Sequence, residues 1–566
     1  MSVIGDLFNP IKVNIHQFYG IEINDFAVAT ATTALWIAEA QMMAETERML
    51  HIDLDFLPLK SYHNIIEGNA LRMDWNNLAV PDDEATTIIA GYTHLYRTPP
   101  QTGTLQEPVF RYGDINLYTE NMDFNPHETK SIHVKFDYIM GNPPFIGARL
   151  MSEEQKADMI AVFGKGWKNI GNLDYVCCWY KKAASYISDK ETRCALVSTN
   201  SVTQGGQVAD LWKPLMEKYG VHIDFAWRTF RWDSESFLKA HVHCVIVGFS
   251  VAASERRKLI FEEGRAPKVA ANINGYLIDS QNVAIESRTH PLCSIPEVGI
   301  GNKPIDGGFY LFSEDEMNEF IKSEPQAKAY FKPWYGAQEF INNKPRYCLW
   351  LGDCSPAELR RMPKCMERVE SVRKYRLASP STGTVKLADK PTRFHVENMP
   401  KGSYIVIPQV SSQRRKYIPM GYMDDSILCS DKVRIMPDGT LFHFGILESN
   451  VHMSWMRAIC CRLKSDYSYT INDVYNNFPW PTPTERQKAK IEQTAQAILD
   501  ARAKYPDCSL ADLYDELTMP VELRKTHQEN DKAVMEAYGF RKDMSESEII
   551  AELFKMYQKL TEKENC

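Results

Sequence analysis

The stretch "KFDYIMGNPPFIGARL", residues 135–150, decides how the chain is read. Phe136–Met140 is an apolar run of strand length. Gly141-Asn142-Pro143-Pro144 ends it, because two prolines cannot donate to a β-ladder and they hold the backbone near one conformation. A core strand that stops at a polar amide, a rigid turn and the ring of Phe145 has two readings. It is a plain strand-ending turn, or a small pocket built to hold a planar amino group.

The second reading has a definite chemistry. An exocyclic amine on a purine is a poor nucleophile, since its lone pair is delocalised into the ring. Two acceptors beside its hydrogens bias the nitrogen towards tetrahedral geometry and stabilise the positive charge that grows on alkylation. The Asn142 side-chain oxygen and the Pro143 carbonyl are such a pair, Pro144 stiffens the turn, and Phe145 can stack on a base extruded from a duplex.

Outward from this stretch, residues 18–255 alternate short apolar runs with helical patterns, which predicts a doubly wound α/β sheet. "FYGIEIN" (18–24) reads as a strand ending in Glu22 and Asn24, followed by a helix over 25–45 with Asp25 as its N-cap. "HNIIEGNALRMDW" (63–75) reads as a second strand and its exit loop. The polar, proline-broken residues 76–130 predict a peripheral insertion. Beyond the opening strand come a helix at 175–187, a buried strand at 194–202, a helix at 207–219, and strands at 221–232 and 241–250. Open parallel sheets offer ligands the polar residues at the C-terminal ends of their strands.

From about residue 256 the pattern turns irregular, aromatic-rich and β-leaning, with "YCLWL" (347–351), "SYIVIPQV" (403–410) and "KVRIM" (432–436) as candidate strands. After "NNFPWPTPTERQ" it becomes helical, and Thr484 to Gln487 and Ser545 to Glu548 have capping-box spacing. The organisation expected is 1–255, 256–482 and 483–566. A chain of 566 residues exceeds one core.

A net charge of −8 argues against a protein that coats nucleic acid generally, and it leaves room for a local basic groove. The start, MSVIGDLFNP, lacks the charged and apolar regions of a secretory signal, and no apolar stretch is long enough to span a bilayer. The 13 cysteines form no C-x-x-C pair, and read as free, mostly buried thiols of a reducing cytoplasm.

Further candidates lie along the chain. A carboxylate at a strand end, such as Glu22, can accept hydrogen bonds from both hydroxyls of a ribose, or can simply face solvent in an exit loop. Asn69 or Asp74 in "GNALRMDW" could meet an adenine amino group or merely cap a turn, and Asp74 fits the cap better. His241 and His243 share a strand face without a third ligand in view, so no metal is expected. "SSQRRKYIPMGY" (411–422) places Arg414, Arg415, Lys416 and Tyr417 in one short stretch, a mix suited to phosphate and base-edge contacts or to an ordinary solvated loop. "RLKSDYSYTINDVYNNFPWP" (462–481) is a second polar and aromatic stretch of this kind.

These residues resemble a known family. "FDYIMGNPPF" resembles the catalytic motif of amino-methylating, S-adenosylmethionine-dependent DNA methyltransferases, and "QFYGIEINDFAVATATTALWIAEAQM" their ribose-binding motif. "NLDYVCCWYKKAASYI", "IGNKPIDGGFYLF", "CLWL", "RRKYIPMGY", "NNFPWP" and "LADLYDELTMPVELRKTHQENDKAVMEAYGF" resemble the MmeI-like branch of type IIL restriction–modification enzymes. The resemblance covers nearly the whole chain. It implies an adenine-N6 DNA methyltransferase fold with a target-recognition domain, S-adenosylmethionine as cofactor and double-stranded DNA as partner. It also implies roles: Asn142, Pro143, Pro144 and Phe145 for catalysis, and Glu22, Ile23, Asn69, Ala70, Asn142 and Asp174 around the cofactor. Asn69 stands where the family usually has an acidic residue.

One departure stands out. The family carries a glycine-rich loop of the type D-P-A-C-G-S-G-x-F on a first strand, and a nuclease before that. Here 17 residues precede "FYGIEIN" and none forms such a loop. The expectation is a sheet lacking its first strand, in a chain that corresponds to the C-terminal portion of such an enzyme, with an upstream-encoded fragment as a further partner. The alternative is a DNA-binding fragment without catalysis of its own.

Overall fold

The computed structural model describes residues 13–51, 64–76, 78–79, 131–132, 135–233, 241–251, 257–463 and 465–564. The chain divides into two compact units, Met1–Asp137 and Tyr138–Cys566.

In the first unit, β1 (Gly20–Glu22) and β2 (Ile65–Glu67) pair in parallel, with Glu22 opposite Glu67, so both strands end together. Between them α1 (Asp25–Leu50) runs 26 residues. Its N-cap is Asn24 rather than the expected Asp25: Asn24 is extended and its side chain accepts the Ala27 N–H at 2.9 Å. Asp25 is the first helical residue, where a carboxylate suits the helix dipole. No side chain of α1 is buried, and Phe26, Met42 and Met49 are more than 60% exposed. The expected insertion at 76–130 falls almost entirely outside the described residues.

The second unit opens on β3 (Tyr138–Gly141). It continues through α2 (Cys177–Ile187), β4 (Arg193–Thr199), β5 (His222–Asp233), β6 (His241–Ser250), β7 (Lys258–Phe261) and β8 (Lys268–Ala270). These strands form one six-stranded sheet in the order β8-β7-β5-β6-β4-β3. The sheet is mixed and not purely parallel. β3 and β4 run parallel, but β6 is antiparallel to both β4 and β5. Only residues 234–240 separate β5 from β6, too few for the crossover that parallel neighbours require.

The opening strand is less buried than its composition suggests. Tyr138 is 65% and Met140 77% exposed, because β3 is an edge strand paired only with β4 among the described residues. Burial in β4 alternates strictly, and Ser198 on its inner side meets the Tyr180 hydroxyl of α2 at 2.9 Å. Tyr180, Trp212 and Phe249 pack ring against ring beneath it. The helix expected at 207–219 forms as a π turn, Val208–Trp212, followed by Lys213–Tyr219.

Beyond residue 298 three small sheets carry the β-leaning segments. The strands at Arg346–Leu349, Tyr404–Pro408 and Val433–Pro437 match the candidate runs, and every residue of Tyr404–Pro408 is buried. Arg376 is fully buried here. Its guanidinium donates to the carbonyls of Pro304, Ile305, Leu387, Lys390 and Arg393 at 2.8–3.0 Å. Three long helices close the chain: α3 (Glu485–Ala503), α4 (Val521–Tyr538) and α5 (Glu546–Glu564). The Thr484–Gln487 and Ser545–Glu548 capping boxes form as expected, since each side chain reaches the other's backbone N–H.

Candidate active site and nucleic-acid surface

Asn142-Pro143-Pro144-Phe145 begins where β3 ends, at the C-terminal edge of two parallel strands. Gly141 pairs with Leu196, which fixes where the loop departs. Asn142 is exposed, Pro143 buried, Pro144 exposed and Phe145 half-buried. The amide therefore stands over a turn anchored by one proline in the core. Downstream, the Ile146 carbonyl accepts the Tyr175 N–H at 2.9 Å. Asp174 accepts the Ala148 N–H at 3.0 Å through Oδ1 and the Ser201 hydroxyl at 2.5 Å through Oδ2. Its own N–H donates to Gln207 Oε1 at 3.4 Å.

Asn142–Phe145 and Asp174 thus share one corner, joined by Ser201 and Gln207, which sequence reasoning did not single out. Ser201 had a signal, since it lies just past the strand in "CALVSTNSV" and a strand-end rule would have caught it. The loop after β4 also reaches the β-rich region. The Gly205 N–H donates to the Ile459 carbonyl at 3.0 Å. Gly205 is left-handed at φ 54, and a Cβ there would collide with the Cys461 sulfur.

Glu22, Ile23, Asn69 and Ala70 belong to the first unit. Glu22 is half-buried at the end of β1 and its carbonyl accepts the Gly68 N–H at 2.7 Å. Ile23 is 64% exposed. The Asn69 side-chain oxygen accepts the Leu71 N–H at 2.9 Å, and the Ala70 carbonyl accepts the Trp75 indole N–H at 2.9 Å. Asp74 accepts the Asn76 N–H at 3.0 Å, a turn-capping role. Among the described residues no three His, Cys, Asp or Glu side chains come together as a metal site.

The basic stretch forms a tight turn after the strand Val410–Ser411. Arg414 and Lys416 are exposed, while Arg415 is half-buried and donates to Ser411 Oγ at 3.4 Å. Burial lowers the pKa of Arg415 from its usual value. Tyr417 departs from the expected contact role. It is 2% exposed and its hydroxyl donates to Asp531 Oδ2 at 2.6 Å, so it anchors the turn and does not face a ligand. The turn lies beside the hairpin Cys461–Leu463/Asp466–Ser468, where the Gln413 N–H donates to Asp466 Oδ1 at 3.4 Å and Leu463 is 60% exposed.

Three family models together match nearly the whole chain: the MmeI DNA-methyltransferase domain over residues 5–262, the MmeI target recognition domain over 279–482, and the MmeI C-terminal domain over 483–564. The chain belongs to the MmeI family. A curated relative, DNA methyltransferase A of Bacillus subtilis (strain 168), is 35% identical over 99% of the chain, which spans 58% of that relative's length. A solved structure of the type IIL restriction–modification enzyme MmeI in complex with DNA matches at 38% identity with a TM-score of 0.79, over 98% of this chain and 67% of that one. The MmeI-like architecture is therefore a methyltransferase fold followed by recognition and C-terminal regions. No helix among the described residues is long and apolar enough to cross a membrane.

For the ribose half of S-adenosylmethionine the donor set fits. Glu22 offers a half-buried carboxylate at the C-terminal end of a parallel pair, where it can accept from ribose hydroxyls, while Gly68 beside it is covered by the Met73 side chain.

Proposed function

We propose that this chain carries the base-binding corner and the recognition surface of an adenine-N6 DNA methyltransferase acting within a restriction–modification system. The observation that supports it most directly is the exposed Asn142 amide at the end of β3, on a turn anchored by the buried Pro143. In this reading the Asn142 side-chain oxygen and the Pro143 carbonyl accept the two hydrogens of an extruded adenine's amino group, and Phe145 packs on the base. The acceptors raise the nitrogen's nucleophilicity and stabilise its developing charge. S-adenosylmethionine, when bound, supplies the electrophilic methyl. Glu22, Ile23, Asn69 and Ala70 hold its nucleoside half, and Arg414, Arg415 and Lys416 face DNA phosphate or base edges.

The test is Asn142→Ala, assayed beside the wild type. Methyl transfer to duplex DNA should fall by about 10²–10³-fold while the Kd for DNA stays within about twofold. Undiminished transfer would reject the assignment.

A second reading takes the chain as a DNA-binding fragment, which the exposed Arg414 and Lys416 support. In it the chain binds DNA and depends for catalysis on a partner polypeptide. Isothermal titration of the chain with S-adenosylmethionine separates the two: micromolar binding favours autonomous catalysis, and silence favours the dependent form.

A further inference from the structure

The Asn142–Ala148 arc is held at both ends, and the hold at its far end comes from residues that the catalytic motif does not include. At the near end Gly141 is fixed in the ladder with Leu196. At the far end Tyr175 donates its N–H to Ile146, and Asp174 accepts the Ala148 N–H. The second carboxylate oxygen of Asp174 accepts the Ser201 hydroxyl at 2.5 Å, and Ser201 meets Thr199 Oγ1 at 2.8 Å at the end of β4. The loops leaving two adjacent parallel strands are thus tied to each other through one carboxylate. Charge-assisted bonds of this kind are shorter and stronger than neutral ones.

We infer that Asp174, braced by Ser201, is a positioning residue that fixes the Asn142–Ala148 arc so that the Asn142 amide is pre-aimed. The inference rests on the proposed role of Asn142 for its catalytic meaning, whereas the tie itself is independent of that role. Both carboxylate oxygens already accept from protein donors, and each donor belongs to a loop at the base-binding corner. Pre-organisation matters because acceptors that must reorient during the reaction lose much of their electrostatic effect. Without the tie, the exposed Asn142 would sample orientations that its two prolines alone do not forbid.

The decisive experiment is hydrogen exchange read by mass spectrometry on the whole chain, following the peptide that spans 142–150. Asp174→Ala is expected to speed exchange of the Ala148 amide by roughly tenfold to a hundredfold. Asp174→Asn should restore most of the protection, since its amide oxygen can still accept from Ala148 while the Ser201 hydroxyl turns to accept. Ser201→Ala should fall between, and it carries the test if Asp174→Ala fails to fold. Wild-type exchange in both Asp174→Ala and Ser201→Ala would overturn the inference. So would weakened S-adenosylmethionine binding in Asp174→Ala with exchange at 142–150 unchanged. If the exchange shifts as expected while Asn142→Ala still methylates normally, the tie stands and the proposed function fails.

Discussion

Tyr417 and Asp531 are joined by a 2.6 Å hydrogen bond that ties the basic turn at 411–416 to the middle of helix α4, 114 residues further on. Asp531 also accepts the Asn450 N–H at 2.7 Å, so one buried carboxylate couples the recognition region to the helical end of the chain. Burial pushes its pKa up to about 6, against the downward pull of the Tyr417 and Asn450 donors.

That shift fixes a pH dependence. A carboxyl group whose folded pKa lies above its ordinary 3.8 contributes stability that is complete below that value and lost as pH rises to about 6. Asp531→Asn cannot ionise, so the wild type should lose roughly 3 kcal/mol relative to this variant between pH 4 and pH 7. Thermal unfolding of both proteins across that range checks it. A stability difference that does not vary with pH would show that Asp531 is not the titrating group.

DNA affinity should depend on Arg414 and Lys416, which project from the turn, more than on Tyr417, which does not. Replacing either exposed cation by alanine is expected to reduce the slope of log Kobs against log salt by about 1. Tyr417→Phe should leave that slope unaltered and lower Tm instead. Fluorescence anisotropy on duplex DNA at several salt concentrations measures the first effect, and calorimetry the second.

Arg502 and Glu448 form a buried pair at 2.7 Å, and Glu448 also accepts the Met420 N–H at 2.7 Å. Arg502→Ala strands that carboxylate and should cost about 3–5 kcal/mol in denaturant unfolding. The double variant Glu448→Gln/Arg502→Met should recover part of the loss, because no uncompensated buried charge remains.

Arg376 holds five carbonyls at once, so Arg376→Met should be among the most damaging single changes in the recognition region, at more than about 3 kcal/mol. Lysine should not rescue it, since an ammonium lacks the planar five-donor fork. Equilibrium unfolding in urea would reveal the ranking.

What was legible in the chain was legible locally. The Pro-Pro turn after β3 follows from two fixed φ angles, and the capping boxes at Thr484 and Ser545 from a three-residue spacing. The buried strand Tyr404–Pro408 follows from an unbroken apolar run between turn residues. The cap of α1 is Asn24, one position before the Asp25 that the local pattern favours, and only backbone geometry separates the two.

What needed the tertiary structure involves partners far apart in sequence. Nothing near Tyr417 in the chain announces Asp531, so an aromatic beside three basic residues read as a contact when it is an anchor. The antiparallel course of β6 and the exposure of Tyr138 and Met140 on β3 depend on which strands lie alongside. The tie that Asp174 makes to Ala148 and Ser201 depends on the meeting of the loops after β3 and β4, which no local pattern around Asp174 announces. Local sequence sets backbone preference and which face of an element is apolar. Burial and hydrogen bonding of a polar group are decided by what the rest of the chain brings to it, and only folding supplies that partner.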